Sequence, residues 1–162
     1  MKEKRNEHEE QKAEKYMKKA LALAKKAAKE GEVPVGAVLV KNGKIISSGR
    51  NKREKKKNAL HHAEVEAIKK ACKKLGSWRL LDCDLYVTLE PCPMCAGAII
   101  NARIRKVFFG ALDPKAGAVR SKVNLFDLGF NHKPQVDSGI LKEECEEILK
   151  KFFKKIRKNI AK

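Results

Sequence analysis

Apolar residues recur at three- and four-residue steps over residues 6–30: Ala13, Met17, Ala20, Ala24 and Ala27, with Tyr16, Leu21 and Leu23 widening the stripe. That period predicts a long amphipathic helix, and Gly31 is a fitting stop. The pattern then changes. PVGAVLVKNGKIISSG reads as strand, turn, strand, a hairpin around Asn42-Gly43. RNKREKKKN, at 50–58, is polar and cationic and reads as a loop. Residues 62–75 predict a second helix, with Val65, Ile68, Cys72 and Leu75 on one face and Gly76 closing it. DLYVTL (84–89) and KVFFGA (106–111) read as strands either side of a short helix over 93–102. Residues 112–135 are loop-rich, with a short helix near 122–128, and a short strand follows at 135–138. A last amphipathic helix covers 141–159, its buried stripe formed by Ile140, Leu141, Cys145, Ile148, Leu149, Phe152 and Ile156.

The order is therefore α-β-β-α-β-α-β-β-α. Strands separated by helices imply partly parallel pairing with helices on both faces of the sheet. Neither a repeat nor a linker interrupts the chain. At 162 residues it reads as one α/β domain over 1–162, with residues 1–12 a charged extension of the first helix.

Composition narrows the classes. No apolar run approaches the roughly 18 residues of a membrane span, and the N-terminal stretch lacks the apolar centre of a secretory signal. A cytoplasmic location is the expectation. The net charge is +18, which attracts phosphate polymers. Lysine outnumbers arginine 30 to 8, however, and Lys/Glu-rich surfaces also occur on hyperthermophile and designed proteins that bind no nucleic acid. Charge alone leaves both readings open.

The five cysteines are Cys72, Cys83, Cys92, Cys95 and Cys145. An odd number without a secretion signal argues against a disulfide framework. Cys72 and Cys145, in helical patterns, are expected to be small core residues. Cys92 and Cys95 differ. Pro93 suits the first turn of a helix, which puts Cys92 near the cap and Cys95 one turn on, both sulfurs on one side. The positive end of the helix favours thiolates, and thiolates so placed bind zinc. A lone C-x-x-C also fits a redox dithiol. Two thiolates need a further ligand, drawn from His8, His61, His62 and His132. His62 starts a helix and has Glu64 two residues on. His62, Cys92 and Cys95 leave one position open on the metal, the pattern of a catalytic site, with Glu64 free to carry protons.

His-Ala-Glu followed by Pro-Cys-Pro-Met-Cys matches the signature of the zinc deaminases. The likeness goes further. GEVPVGAVLV, HAEVEAI, LYVTLEPCPMCAGAIINARI, VFFGALDPKAGA and NHKP together resemble the bacterial tRNA-specific adenosine deaminases over roughly residues 10–158. The resemblance implies a three-layer α/β/α cytidine deaminase-like fold with a mixed sheet of about five strands. It implies one Zn2+ per subunit with a bound water, and hydrolytic conversion of adenosine to inosine at the wobble position of a tRNA anticodon loop. Glu64 would shuttle the protons. Asn51 would hydrogen-bond the adenine, Val33 and Pro34 would wall the pocket, and Ala63 would offer a backbone amide. Asp113 would meet the ribose of the neighbouring nucleotide and Lys115 a phosphate. Phe152 is expected in the core, while Phe153 reaches the substrate loop. The family pattern also implies a homodimer that frames the anticodon stem-loop.

NALHHAE departs from the Asp-Pro-Thr-Ala frequent in the family, and Arg120 stands where a small residue is usual. Arg120 would add charge near the RNA path. The lysine-saturated terminal helices have the idealised look of an engineered or ancestral variant. Three rivals remain: a free cytosine or guanine deaminase, a noncatalytic zinc-stabilised RNA-binding subunit, and a variant retuned for adenine in single-stranded DNA.

Overall fold

The computed structural model describes residues 4–160; residues 1–3 of the charged extension, and residues 161–162, lie outside it. Helix α1 (Glu7–Lys29) leads into the hairpin of β1 (Gly36–Lys41) and β2 (Lys44–Arg50). A one-turn helix α2 (Arg53–Lys56), then α3 (Ala63–Leu75), β3 (Cys83–Leu89), α4 (Pro93–Ala102), β4 (Lys106–Ala111), β5 (Gln135–Ser138) and α5 (Lys142–Ile160) complete the chain. The five strands form one mixed sheet in the order β2-β1-β3-β4-β5. β1 runs antiparallel to both β2 and β3, and β3, β4 and β5 are parallel. Helices cover both faces, the α/β/α layering that the pattern predicts. Among the described residues no helix is long and apolar enough to cross a membrane.

Alternation along the strands assigns each residue to a layer. Ala37, Leu39, Leu85, Val87, Val107 and Phe109 face α3 and α4. Val38, Val40, Tyr86 and Phe108 face α1 and α5, where Tyr86 and Phe108 stack with ring centroids 4.4 Å apart. Asn42 and Gly43 take the positive φ values, 52° and 73°, of a tight hairpin turn. Asn6 caps α1 through a capping box with Glu9, two backbone donors being satisfied reciprocally.

The helices approach the sheet more closely than ordinary side chains permit. A Cβ at Gly36 in β1 would strike Ala20 O, Ala24 N and Leu23 Cβ of α1. One at Gly49 in β2 would strike Ala63 O, with Ala67 N and Glu66 Cβ both at 2.8 Å. Gly110 in β4 lies beneath Cys145 of α5 in the same way. The alanine spacing in α1 reflects this contact. In α3 it corrects the sequence reading: the deepest ridge is Ala63, Ala67 and Ala71, while Ile68, Cys72 and Leu75 are only half-buried at its flank.

Other differences have local causes. The cationic loop at 50–58 contains α2 because Glu32, 1% exposed, accepts from the amides of Glu54 (2.9 Å) and Lys55 (2.8 Å). The helix expected near 122–128 is a single 3-10 turn, Leu125–Asp127. Cys145 is fully buried, as expected, but Cys72 is not. The stripe of α5 fades: Phe152 is half-buried, outside both core clusters, and Ile156 is exposed. Residues 153–160, the last turns of that helix, are all exposed among the described residues. Within the charged extension, Arg5 is buried against Glu10 and Asp137.

Gly49→Ala is expected to lower stability by at least the 1–3 kcal/mol typical of overpacking, because the obstructing atoms are helix backbone. A urea unfolding midpoint equal to that of the unmodified protein would contradict the close contact.

Candidate metal centre and active-site cleft

Every element of the site comes from one edge of the sheet. The start of β1, the end of β2 and the ends of β3 and β4 meet there, because β1 runs opposite to its neighbours. Open α/β sheets bind ligands beyond their strand ends for this reason. His62 is the N-cap of α3, and Cys92 the N-cap of α4 with Pro93 at its first position, so two helix N-termini converge.

His62 Nδ1 lies 3.5 Å from Cys92 Sγ and 3.6 Å from Cys95 Sγ. The three ligand atoms lie within 4.8 Å of one another and could hold a metal ion. A tetrahedral centre with bonds of about 2.0–2.1 Å to nitrogen and 2.3 Å to sulfur has N···S edges of about 3.6 Å. The donor set and its spacing therefore fit zinc. His61 pairs instead with Glu66, and His132 Nε2 bonds to Ile104 O at 2.6 Å. Neither joins the group.

The cysteines share a proton unequally. The hydrogen bond from Cys95 holds Cys92 down at about 4 against the opposing effect of burial, with His62 and the Cys95 amide adding to it. The same bond, together with burial, pushes Cys95 far up. Glu64 is 4% exposed. Burial pushes it up to about 7; its own amide, His62 and Cys95 pull it back, while Cys92 pushes it further. A carboxyl group held near neutrality beside the ligands can both take and give a proton.

The site opens into a cleft of about 200 Å³. This is below the roughly 300–1,000 Å³ of sites that hold whole drug-sized ligands; it has room for one flat heterocycle. Val33, Asn51, Ala63 and Asp113 line it with His62, Glu64 and Cys92. Asn51 is anchored on both sides: its amide donates to Val33 O (3.3 Å) and its Oδ1 accepts from Arg53 N (3.0 Å). Pro34 is buried and does not line the cleft, whereas Val35 does. Lys115 is exposed outside the cleft. Phe153 is exposed on α5, edge-on to Phe152 and away from the lining.

The sequence reading missed Glu90. This carboxylate, 2% exposed, accepts from the amides of Asp113, Val119, Arg120 and Ser121 at 2.8–3.2 Å, and from the Ser121 hydroxyl. It pins residues 113–121 against the cleft, and Gly117 leaves the space it fills. Asp113 Oδ1 in turn accepts from Lys115 N and Ala116 N. The available signal was an acid between a strand and the Pro-Cys step, with a glycine-bearing loop downstream. Burial raises Glu90, but the bonds from Ser121, Asp113 and Arg120 outweigh it and hold it below the usual carboxylate value. A depressed carboxylate stabilises the fold above its unfolded value, and that contribution is lost as pH falls through the folded value. The stability lost in Glu90→Gln is thus expected to be greatest near neutrality and to shrink below about pH 4.5. Thermal melts of both proteins across the acid range test this; a pH-independent difference would refute it.

Comparison with known proteins agrees with this geometry. A model of the MafB19-like deaminases matches residues 11–157. The chain is 54% identical over 144 residues to the tRNA-specific adenosine deaminase of Bacillus subtilis (strain 168), covering 88% of this chain and 89% of that protein. It is 49% identical over 146 residues to the protein of the same name from Aquifex aeolicus (strain VF5), covering 90% and 96%. A solved structure from work on A-to-I editing by tRNA:A34 deaminases superposes with a TM-score of 0.82 at 47% identity, covering 83% of this chain and 99% of the other. Guanine deaminase from Bacillus subtilis superposes at 0.60 with 36% identity, covering 73% and 86%. A His-Cys-Cys group beside a buried glutamate, on this fold and at these identities, places the chain in the family of tRNA-specific adenosine deaminases.

Proposed function

We propose that this protein converts adenosine to inosine in RNA, at the wobble position of a tRNA anticodon loop, with one zinc ion held by His62, Cys92 and Cys95. The observation that carries this reading is the tetrahedral spacing of those three ligands with Glu64 buried beside them in a base-sized cleft. A bound zinc would supply a Lewis acid that makes a water molecule acidic near neutral pH.

The protein's residues do the rest. Glu64 takes the proton of the attacking water, returns it to the purine ring nitrogen next to the reacting carbon, and delivers another to the departing amine, which leaves as ammonia. Val33 and Val35 offer apolar walls to the ring. Asn51, held by its two backbone partners, presents its remaining amide hydrogen and carbonyl lone pair to the base edge. The Ala63 amide, at the positive end of α3, is available to the same edge. Asp113 stands at the rim where the sugar would leave the cleft. Lys115 and Phe153, outside the cleft, are left to contact the flanking RNA.

A loop substrate suits this site, since an unpaired base costs little to extrude. The +18 charge supports a polymeric anion over a free base, and so do the identities to the tRNA enzymes. The guanine deaminase likeness keeps a free-base activity as the second reading. Single-stranded DNA adenine would share the same base contacts and would be told apart by the sugar. We read the enzyme as cytoplasmic and as a homodimer; exposed Val123, Leu128 and Phe130 in the loop after β4 supply apolar surface for a second subunit.

Glu64→Ala is expected to keep stoichiometric zinc and lose turnover by at least 10²-fold, the low end for general acid–base catalysis. Metal analysis and inosine formation on an anticodon stem-loop measure both; full activity in the zinc-loaded variant would remove Glu64 from the mechanism. Zinc should raise the melting temperature of metal-stripped protein, because it binds the folded state selectively, and Cys95→Ser should abolish that rise. Matched RNA and DNA stem-loops and free guanine, assayed together, decide between the readings.

A further inference from the structure

The cleft is bounded on one side by residues 112–121, and the other flank of that segment opens on a second cavity of about 480 Å³. The two share a wall. Asp113 and Ala116 line the cleft, while Leu112 and Ser121 line the second cavity. Arg120, Ser138, Gly139 and Lys142 complete its charged and polar side. No carboxylate lines it.

Arg120 is suited to an anion. Its backbone is fixed, because its amide donates to Glu90 at 2.8 Å. Its side chain is exposed and makes one long contact, Nη2 to Val136 O at 3.5 Å. Among the described residues no carboxylate forms an ion pair with it. A guanidinium has five donors in a fork that matches phosphate oxygens, and most of these point to no protein acceptor. Lys142 adds a second cation, half exposed and 3.8 Å from Glu146 on its own helix. The Ser121 hydroxyl is committed to Glu90, so Ser138 is the hydroxyl left to the cavity. Arg120 also borders a groove along β5 lined by Lys106 and by Lys133, the latter paired with Asp127 at 2.7 Å. No aromatic side chain lines the second cavity, so it has no platform for a base. Its chemistry suits the backbone alone.

The cleft has room for one base, and a strand that leaves it across the rim formed by 112–121 passes directly over the second cavity. We propose that the second cavity seats a backbone phosphate of the strand flanking the target adenosine, with Arg120 as its principal ligand and Lys142 beside it. This rests on the RNA deaminase reading above and adds a subsite to it.

The test is Arg120→Ala with an anticodon stem-loop RNA. KM is expected to rise several-fold with kcat unchanged. The slope of log affinity against log salt should become shallower by about 0.7, the value for one phosphate contact on a single strand. Arg120→Lys should restore the slope but only part of the affinity, since a point charge replaces the fork. Neutral methylphosphonate at one flanking position of the RNA should erase the difference between the unmodified protein and Arg120→Ala. An unchanged salt slope in Arg120→Ala would overturn the proposal. So would a loss confined to kcat, which would mean that Arg120 acts only through the Glu90-bound segment. Absence of inosine formation by the unmodified protein would defeat the functional reading instead; the binding slopes, read by fluorescence anisotropy without turnover, would still decide the subsite.

Discussion

The contact on which the site depends is the one between Gly49 and the first turn of α3. A glycine in β2 lets the backbone at Ala63 and Ala67 rest directly on the strand, and Ala63 is flanked by His62 and Glu64. The distance of His62 and Glu64 from the sheet is therefore set by a missing side chain. The parallel pair β3 and β4 sets the other half, because α4 must begin where β3 ends. With both helices seated on the same face, their N-termini meet at one edge. Interiors pack too densely to absorb a shift of one methyl group there.

Two buried carboxylates beside this edge show how environment divides roles. For Glu64 the cost of burial outweighs its own amide, His62 and Cys95, which favour its charge, so its carboxyl is raised to about 7. Glu90 is buried equally deeply but receives four amides and a hydroxyl, and it stays ionised. The first suits proton transfer. The second fixes a loop. Both are commitments against solvation, which is why neither tolerates a vacant partner.

The charge of the chain is distributed to a different end. Lysines cover the exposed faces of α1, α3 and α5, where they also complement helix C-termini. Their long-range field draws phosphate polymers without selecting among them. Near the cleft the backbone is fixed instead by specific hydrogen bonds. Residues 112–121 are tied down by Glu90 at Asp113 and at Val119 to Ser121, and by the Ala118–Pro91 backbone bond between them.

Much was legible in the order of residues. Every strand, the four long helices and the Asn42-Gly43 turn follow from periodicity and local backbone preference, because those are properties of neighbouring residues. The pairing of Cys92 with Cys95 was readable too, since a cap position and a spacing of three place two sulfurs together without any knowledge of the fold; that His62 arrives beside them is a tertiary fact. Tertiary structure alone decided which face of α3 is deepest, that Phe152 and Ile156 at the far end of α5 stay outside the core, and that Glu32 and Glu90 bind backbone amides more than twenty positions away in sequence. It also moved Val35 into the cleft ahead of Pro34. Each of these depends on which distant backbone arrives alongside, and sequence order carries no term for that.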